Sequence, residues 1–282
     1  MPQPSFFTPG DSGRADPTDF ASSLWGPDSL NGPAVCALAA YAAEREHTRD
    51  GWLPARFTLE LFKAARRVPT STSTELLRDG RRIRVVQVRI HQHASDDATA
   101  TLVAQGNVVF LKQGTNPPGA RWSRTDEPIA VPESTDADQL TWFSDTETDW
   151  SQDMGSFQNG NRRRLWSHPI RVLPDEPLTP FQRAVISAES TSLATNWGEG
   201  GIGFINCDLT VALSRLPVGD RVGVESDSHL EDAGVSVGTA TLFDGQGQYG
   251  VGLVTAVDNS RAMIDFQNIT LPSTSAGDDR NI

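Results

Sequence analysis

The chain has 282 residues, of which 37% are hydrophobic, and carries a formal net charge of −12. Such an acidic chain lacks the basic surface that neutralises nucleic-acid phosphates, so we expect no nucleic-acid partner. No apolar run approaches the roughly 18 residues of a membrane span, and the first residues lack a basic signal region. Cys36 and Cys207 lie in apolar-patterned segments and predict buried thiols in a reducing, cytoplasmic compartment.

The first part of the chain predicts a flexible segment followed by a helix and four strands. Residues 1–19 are rich in Pro, Gly, Ser and Asp, a composition typical of mobile termini. The Ala-rich run 34–45 predicts a helix. Asp79-Gly80 predicts a hairpin turn between two of the strands that follow. The predicted strands are residues 56–65, 70–78, 82–93 and 99–113.

Residues 114–145 separate this part from the next and predict a linker, since they carry Asn-Pro-Pro-Gly and a run of Thr, Asp and Glu. Beyond them, residues 178–194 predict a second helix, with Thr179 as N-cap and Pro180 at the first helical position. Four strands are predicted after it, and residues 272–282 predict a flexible tail. The predicted strands are residues 205–213, 221–229, 235–243 and 248–257.

A helix followed by four strands therefore occurs twice, with an offset of roughly 150 residues between matching strands. We interpret this as an internal duplication within an α+β fold. The predicted units are residues 20–113 and 146–271. Within the second unit, Ile205, Cys207 and Leu209 alternate with polar residues, which is typical of a half-buried strand.

Several short motifs together resemble the type II acyl-CoA thioesterases, which have a double hotdog fold: two tandem units, each a long helix wrapped by a curved antiparallel sheet. The motifs are residues 205–211 (INCDLTV), Arg215, residues 217–220 (PVGD), residues 242–247 (LFDGQG), residues 54–58 (PARFT) and residues 78–81 (RDGR). Their order and spacing are more specific than any one of them. The resemblance covers roughly residues 20–113 and 145–260.

The resemblance implies hydrolysis of a fatty acyl-CoA, an activity in lipid metabolism, by water attack without a covalent intermediate. Members of the family place a carboxylate on the second helix, a polar group on the next strand and a glutamine on the last strand. These positions fall on Glu189, Asn206 and Thr255, and Asp208 is a fourth candidate. Glu189 replaces the more usual Asp, and Thr255 replaces a long amide with a short hydroxyl.

Ordinary structural roles remain open for each of these residues. Glu189 could be an exposed glutamate of a polar helix stretch, and Asn206 and Asp208 could be solvent-face residues of a half-buried strand. Thr255 shares its predicted strand face with Val251 and Val257, which favours a packed residue.

Arginine clusters at Arg81, Arg82 and Arg163 are candidate contacts for the phosphates of coenzyme A, because guanidinium groups bind phosphate in a bidentate manner. A solvated surface charge is the alternative. We expect no cofactor and no metal: His91 and His93 have no further His or Cys nearby. Residues 234–238 fit G-x-S-x-G, but the serine lies inside a strand pattern rather than at a strand-to-helix turn.

Two functional hypotheses follow. The first is an acyl-CoA thioesterase with acyl-CoA as its small-molecule partner. The second is a catalytically weakened hotdog paralogue that binds acyl-CoA or a protein partner, which the substitutions at Glu189 and Thr255 motivate. In both cases a homodimer or higher homo-oligomer is expected, since exposed hotdog sheets can pair with further copies.

Overall fold

The computed structural model describes residues 4–93, 100–123, 129, 131–132 and 141–268, which form two α-helices and seventeen strands. The first part of the chain contains β1 (Phe7–Pro9), β2 (Ala15–Pro17), β3 (Ser22–Ser23), β4 (Gly26–Leu30), α1 (Gly32–His47), β5 (Trp52–Leu61), β6 (Thr70–Asp79), β7 (Ile83–Gln92) and β8 (Thr101–Lys112). The second contains β9 (Thr141–Ser144), β10 (Arg164–Ser167), α2 (Pro180–Asn196), β11 (Trp197–Gly198), β12 (Gly201–Ile202), β13 (Phe204–Asn206), β14 (Asp208–Leu213), β15 (Val222–Asp232), β16 (Val235–Asp244) and β17 (Gly247–Asp258).

Both predicted helices are present, and their first turns are capped by side chains. The side chain of Asn31 accepts a hydrogen bond from the backbone N–H of Ala34 at the start of α1. Thr179 caps α2 and forms a reciprocal capping box with Gln182, as the sequence predicts for the N-cap. Ten consecutive residues of α1, from 34 to 43, are buried, so this Ala-rich helix is packed on every side.

One antiparallel sheet of thirteen strands carries both helices. Its order is β1-β2-β6-β7-β8-β5-β14-β17-β16-β15-β10-β9, and β13 pairs with β17. Pairing of β5 with β14, in which Thr58 lies opposite Thr210, joins the two parts of the chain at the centre. Helix α1 packs on β5–β8, α2 packs on β14–β17, and the two helices touch each other. The class is α+β.

A single hydrophobic core runs through both parts of the chain. Phe57 of β5 and Phe181 of α2 are fully buried, and their ring centroids lie 6.4 Å apart in an edge-on arrangement. Leu209 and Val211 of β14 are also fully buried on the helix side of the sheet. The apolar contacts that stabilise the two parts are therefore shared between them.

The N-terminal segment differs from the flexible one predicted for residues 1–19. Phe6 and Phe7 are 4% and 0% exposed, and their backbone N–H groups donate to the carbonyls of Arg171 and Val172 at 2.9 and 3.0 Å. Strand β2 continues the large sheet beside β6. Burial of two adjacent phenylalanines outweighs the Pro- and Gly-rich composition on which the prediction relied. Residues 1–3 lie outside the described residues.

The linker predicted at residues 114–145 also ends too late. Strand β9 lies within it and pairs with β10, and Phe143 is 2% exposed. The aromatic pair Trp142 and Phe143 extends the sheet because it brings apolar surface to the core. Residues 124–128, 130 and 133–140 of the predicted linker, like the tail predicted at residues 272–282, lie outside the described residues.

A β-bulge interrupts the alternation predicted for residues 205–213. Asn206 lies opposite Ala256 but Thr210 lies opposite Leu253, so β13 and β14 together contain one more residue than the facing part of β17. Cys207 falls at this bulge and is exposed, which corrects the prediction of a buried thiol. The bulge places Asn206 and Asp208 on opposite faces of the sheet, although residues two apart in a regular strand share one face.

Candidate active site

The carboxyl group of Glu189 is the centre of the candidate site. Glu189 lies in the middle of α2 and is 8% exposed. Its Oε1 accepts a hydrogen bond of 3.2 Å from Nδ2 of Asn206, which β13 presents to the helix side of the sheet. Burial raises the pKa of Glu189 to about 8, while the hydrogen bond from Asn206 acts in the opposite direction. A carboxyl group with a pKa near neutrality is suited to accept and return a proton.

The N-terminus of α1 lies directly against this carboxyl group. A Cβ atom built on Gly32, the first residue of α1, would lie 1.8 Å from Oε1 of Glu189. Glu189 therefore contacts the bare backbone of the first turn of the other helix. The partial positive charge at a helix N-terminus favours negative charge at this point.

A thiol lies one turn further along α1. Cys36 is fully buried, and burial together with the charge of Glu189 raises its pKa well above the usual value. The thiolate is the nucleophilic form of cysteine, and this environment disfavours it. Cys36 is therefore a buried thiol, as predicted, with an environment unsuited to a covalent nucleophile.

The structure separates the four predicted catalytic residues into two pairs. Glu189 and Asn206 meet on the helix side of the sheet, whereas Asp208 and Thr255 meet on the other face. Oδ1 of Asp208 accepts hydrogen bonds from both N and Oγ1 of Thr255, each at 2.6 Å. Asp208 thereby satisfies a backbone N–H next to the bulge, where regular pairing is interrupted.

The prediction that Thr255 and Asp208 share one site with Glu189 is therefore wrong. The residues of β17 that flank Thr255 and face the helices are Val254 and Ala256, which are 0% and 2% exposed. This strand brings apolar side chains to the helix side, so it supplies no long amide at the position where the resemblance implies one.

Arg163, predicted to contact phosphate, is instead fully buried. Its guanidinium donates to the carbonyl oxygens of Trp197, at 2.7 Å, and Asn159, at 3.0 Å, and lies 4.3 Å from the centroid of the Trp197 ring. Burial lowers the pKa of Arg163 to about 10. A guanidinium enclosed by backbone carbonyls and an aromatic ring cannot reach a phosphate in solvent, so the assignment is wrong.

Arg81 and Arg82 are exposed and, together with Lys112, line a surface depression of about 380 Å³. Backbone pairing of Lys112 with Trp52 and Arg82 places the depression beside the C-terminal end of α1. Glu189 lies at the other end of this helix, and sixteen residues span roughly 24 Å. The phosphate-binding role of these two arginines stays a prediction, separate from the carboxyl site.

The described residues contain no group of three or more His, Cys, Asp or Glu side chains that could hold a metal ion. Of the two helices in the described part of the chain, neither is long and apolar enough to cross a membrane.

Comparisons with known proteins show which family and which solved structures the chain is similar to. Residues 21–111 match the sequence family described as the acyl-CoA thioesterase N-terminal domain. The chain resembles the type II acyl-CoA thioesterases. No protein of curated function matches it in sequence.

Solved structures with similar folds include three from bacteria. A hot dog fold protein from Alicyclobacillus acidocaldarius superposes with a TM-score of 0.61 at 13% identity, covering 88% of this chain and 95% of that one. An acyl-CoA thioesterase II from Mycobacterium marinum gives 0.59 at 13% identity, covering 82% and 89%. The tesB protein of Mycobacterium avium subspecies paratuberculosis gives 0.55 at 16% identity, covering 82% and 87%. The fold is therefore of the hotdog type.

Two residues next to Glu189 were not predicted as part of the site. Gly32 lies in the run Asn31-Gly32-Pro33, whose composition indicates a turn leading into a helix and nothing more. Cys36 follows one turn later and reads as a core thiol. Their proximity to Glu189 arises from the packing of α1 against α2, which no local pattern in the sequence encodes.

Proposed function

We propose that this protein is an acyl-CoA thioesterase that hydrolyses a fatty acyl-CoA to the free acid and coenzyme A. The observation that carries the proposal is the buried Glu189 carboxyl, which holds a hydrogen bond from Asn206 and lies against the N-terminus of α1. The family match over residues 21–111 supports a thioester as substrate.

In the proposed reaction, ionised Glu189 removes a proton from a water molecule that the Asn206 amide helps to orient. The resulting hydroxide attacks the thioester carbonyl carbon and forms a tetrahedral intermediate. The carbon–sulfur bond then breaks, the fatty acid is released, and the protonated Glu189 returns the proton to the coenzyme A thiolate. The positive end of α1 is suited to stabilise the oxyanion that develops on the carbonyl oxygen.

Water attack is preferred over a covalent route because of the state of Cys36. Its thiol lies near enough to Glu189 for the charge of the carboxylate to act on it, and its raised pKa keeps it protonated near neutral pH. A carboxylate that activates water needs no such nucleophile.

We further propose that the fold is a double hotdog. One unit comprises α1 with β5–β8 and the other α2 with β14–β17, within the predicted units 20–113 and 146–271. The site then lies between the units, since Glu189 belongs to one helix and Gly32 to the other. A cytoplasmic location and a homodimer or higher homo-oligomer stay predictions.

Thiol release from short-, medium- and long-chain acyl-CoAs tests the activity. We expect release by the native protein, its loss in Glu189→Ala and a marked reduction in Asn206→Ala. Cys207→Ser is the control because Cys207 is adjacent to Asn206 but exposed on the bulge. Retention of intact acyl-CoA without release of thiol would instead favour the binding paralogue. Release that both alanine variants leave unchanged would keep the activity and reject the site.

A further inference from the structure

The contact between Gly32 and Glu189 is closer than any side chain at position 32 would allow. A Cβ atom there would lie 1.8 Å from Oε1, 2.5 Å from Cδ and 3.2 Å from Cγ of Glu189. The end of the glutamate side chain therefore occupies the volume that an alanine methyl group would fill. Glu189 is 8% exposed, so its carboxyl group has little freedom to move aside while keeping its hydrogen bond to Asn206.

A positive φ angle is not the reason for glycine at this position. The φ angle of Gly32 lies outside the left-handed region that favours glycine, and Gly32 is the first residue of a regular helix. Pro33 follows Gly32 and disfavours helical φ and ψ for a preceding residue that carries a Cβ atom, so an alanine here has a local cost as well. The carboxyl group of the other helix is thus a second reason why position 32 carries no side chain, and the Glu189→Asp background separates the two reasons because it leaves Pro33 unchanged.

We propose that Gly32 is a positioning residue that matches the length of the Glu189 side chain, so that the two residues form one fitted pair across the helix interface. This inference rests on the proposed thioesterase function. Glutamate reaches one methylene further than aspartate, and the bare backbone at residue 32 receives that extra length. An alanine at 32 would fit an aspartate at 189, because the shorter side chain withdraws the carboxyl group by about 1.5 Å.

The test compares Gly32→Ala, Glu189→Asp and the double variant in acyl-CoA hydrolysis. We expect Gly32→Ala to lower kcat by about 100-fold with KM changed less than about threefold, since it displaces the carboxyl group from its productive position. Glu189→Asp alone should lower kcat by about tenfold or more. The double variant should recover at least about tenfold over Gly32→Ala.

The matched control is Gly26→Ala in β4, where a Cβ atom would meet only Oγ of Ser29 at 3.8 Å. This variant should keep the native kcat. An unchanged kcat in Gly32→Ala, or a double variant no better than Gly32→Ala, would overturn the proposal.

Thermal unfolding of the same four proteins separates this proposal from the proposed activity. We expect Gly32→Ala to lower Tm by several degrees in the native background and by less in the Glu189→Asp background, because the steric conflict is then removed. Coupled Tm shifts without any hydrolysis would establish the fitted pair but reject the thioesterase function. Additive Tm shifts would reject the pair whether or not the protein hydrolyses acyl-CoA.

Discussion

Two buried or half-buried glutamates link the helices in a reciprocal arrangement. Glu44 of α1 reaches the N-terminus of α2, where its Oε2 accepts hydrogen bonds from Oγ1 of Thr179, at 2.5 Å, and Nε2 of Gln182, at 3.0 Å. Glu189 of α2 reaches the N-terminus of α1, where the only side chain of the described residues that donates to it is Asn206. Burial raises the pKa of both carboxyl groups.

The difference lies in the hydrogen bonds that each carboxyl group receives. The partners of Glu44 are the two residues of the α2 capping box, so Glu44 is held by the residues that begin that helix. Glu189 has one donor and a bare backbone beside it. Both carboxyl groups lie at a helix N-terminus, but Glu44 is a structural link and Glu189 is a candidate catalytic base. The reason is that the carboxylate of Glu189 keeps acceptor capacity for water.

The largest expected effect is the difference in activity between two variants, Glu189→Gln and Glu44→Gln, each of which replaces one of the two carboxyl groups with an amide. We expect Glu189→Gln to lower kcat for acyl-CoA hydrolysis by about 10³-fold, since the amide cannot accept the proton of water. Glu44→Gln should stay within about tenfold of the native kcat. Equal losses in both variants, measured with folding verified by circular dichroism, would remove the functional distinction between the two glutamates.

The pH dependence of stability should also differ between the native protein and Glu189→Gln. The folded-state pKa of Glu189 is about 8 and its ordinary value is 4.5, so its contribution to stability is complete below pH 4.5 and is lost as the pH rises to about 8. Urea unfolding should therefore show the unfolding free energy of Glu189→Gln rising relative to that of the native protein over this range, by on the order of 4 kcal/mol at pH 8. A constant difference across the range would show that Glu189 is ionised throughout.

Removing the donor of Glu189 should shift the pH profile of the reaction. The hydrogen bond from Asn206 favours the ionised carboxylate, so Asn206→Ala should raise the pKa of Glu189 further. Native activity should increase as the pH rises through about 8. In Asn206→Ala we expect that increase at higher pH and a kcat about 20-fold lower at neutral pH. A lower kcat whose increase occurs at the same pH as in the native protein would show that Asn206 does not act through the pKa of Glu189.

The smallest effect is expected at the structural glutamate. Glu44→Ala removes the acceptor of Thr179 and Gln182, which should cost about 1–2 kcal/mol of unfolding free energy, as is typical of hydrogen bonds to a partly buried group. Chemical denaturation should show this loss while KM for acyl-CoA is retained. A change in KM without a change in stability would move Glu44 from the structural role to the substrate site.

The sequence predicted those parts of the molecule that local patterns encode. The capping residue Thr179, the Ala-rich helix α1 and the Asp79-Gly80 turn all arise from the chemistry of a few neighbouring residues. The resemblance placed Glu189 and Asn206 in one site, and the structure joins them by a hydrogen bond although they lie on different elements.

The errors arise where one residue or one distant contact decides the outcome. A single extra residue at Cys207 moves Asp208 to the other face of the sheet, and alternation of apolar residues continues on both sides of it. Arg163 lies between two exposed or half-buried arginines, and it differs from them because the nearby carbonyl of Asn159 and the distant Trp197, through its carbonyl and its ring, enclose its guanidinium. Neither the bulge at Cys207 nor the enclosure of Arg163 alters the composition or periodicity from which the predictions were made.

The pairing of β5 with β14 at the centre of the sheet has a consequence for folding. A fragment holding either part of the chain alone would end in an unpaired strand whose apolar residues, such as Phe57 or Leu209, face an incomplete core. Exposed strand edges of this kind promote aggregation. We expect each fragment to precipitate when produced separately, and the two to reassemble when produced together from a chain cut within residues 114–123, which are exposed and outside every strand. Because β5 pairs with β14 at the centre of the sheet, each part of the chain thus needs the other in order to fold.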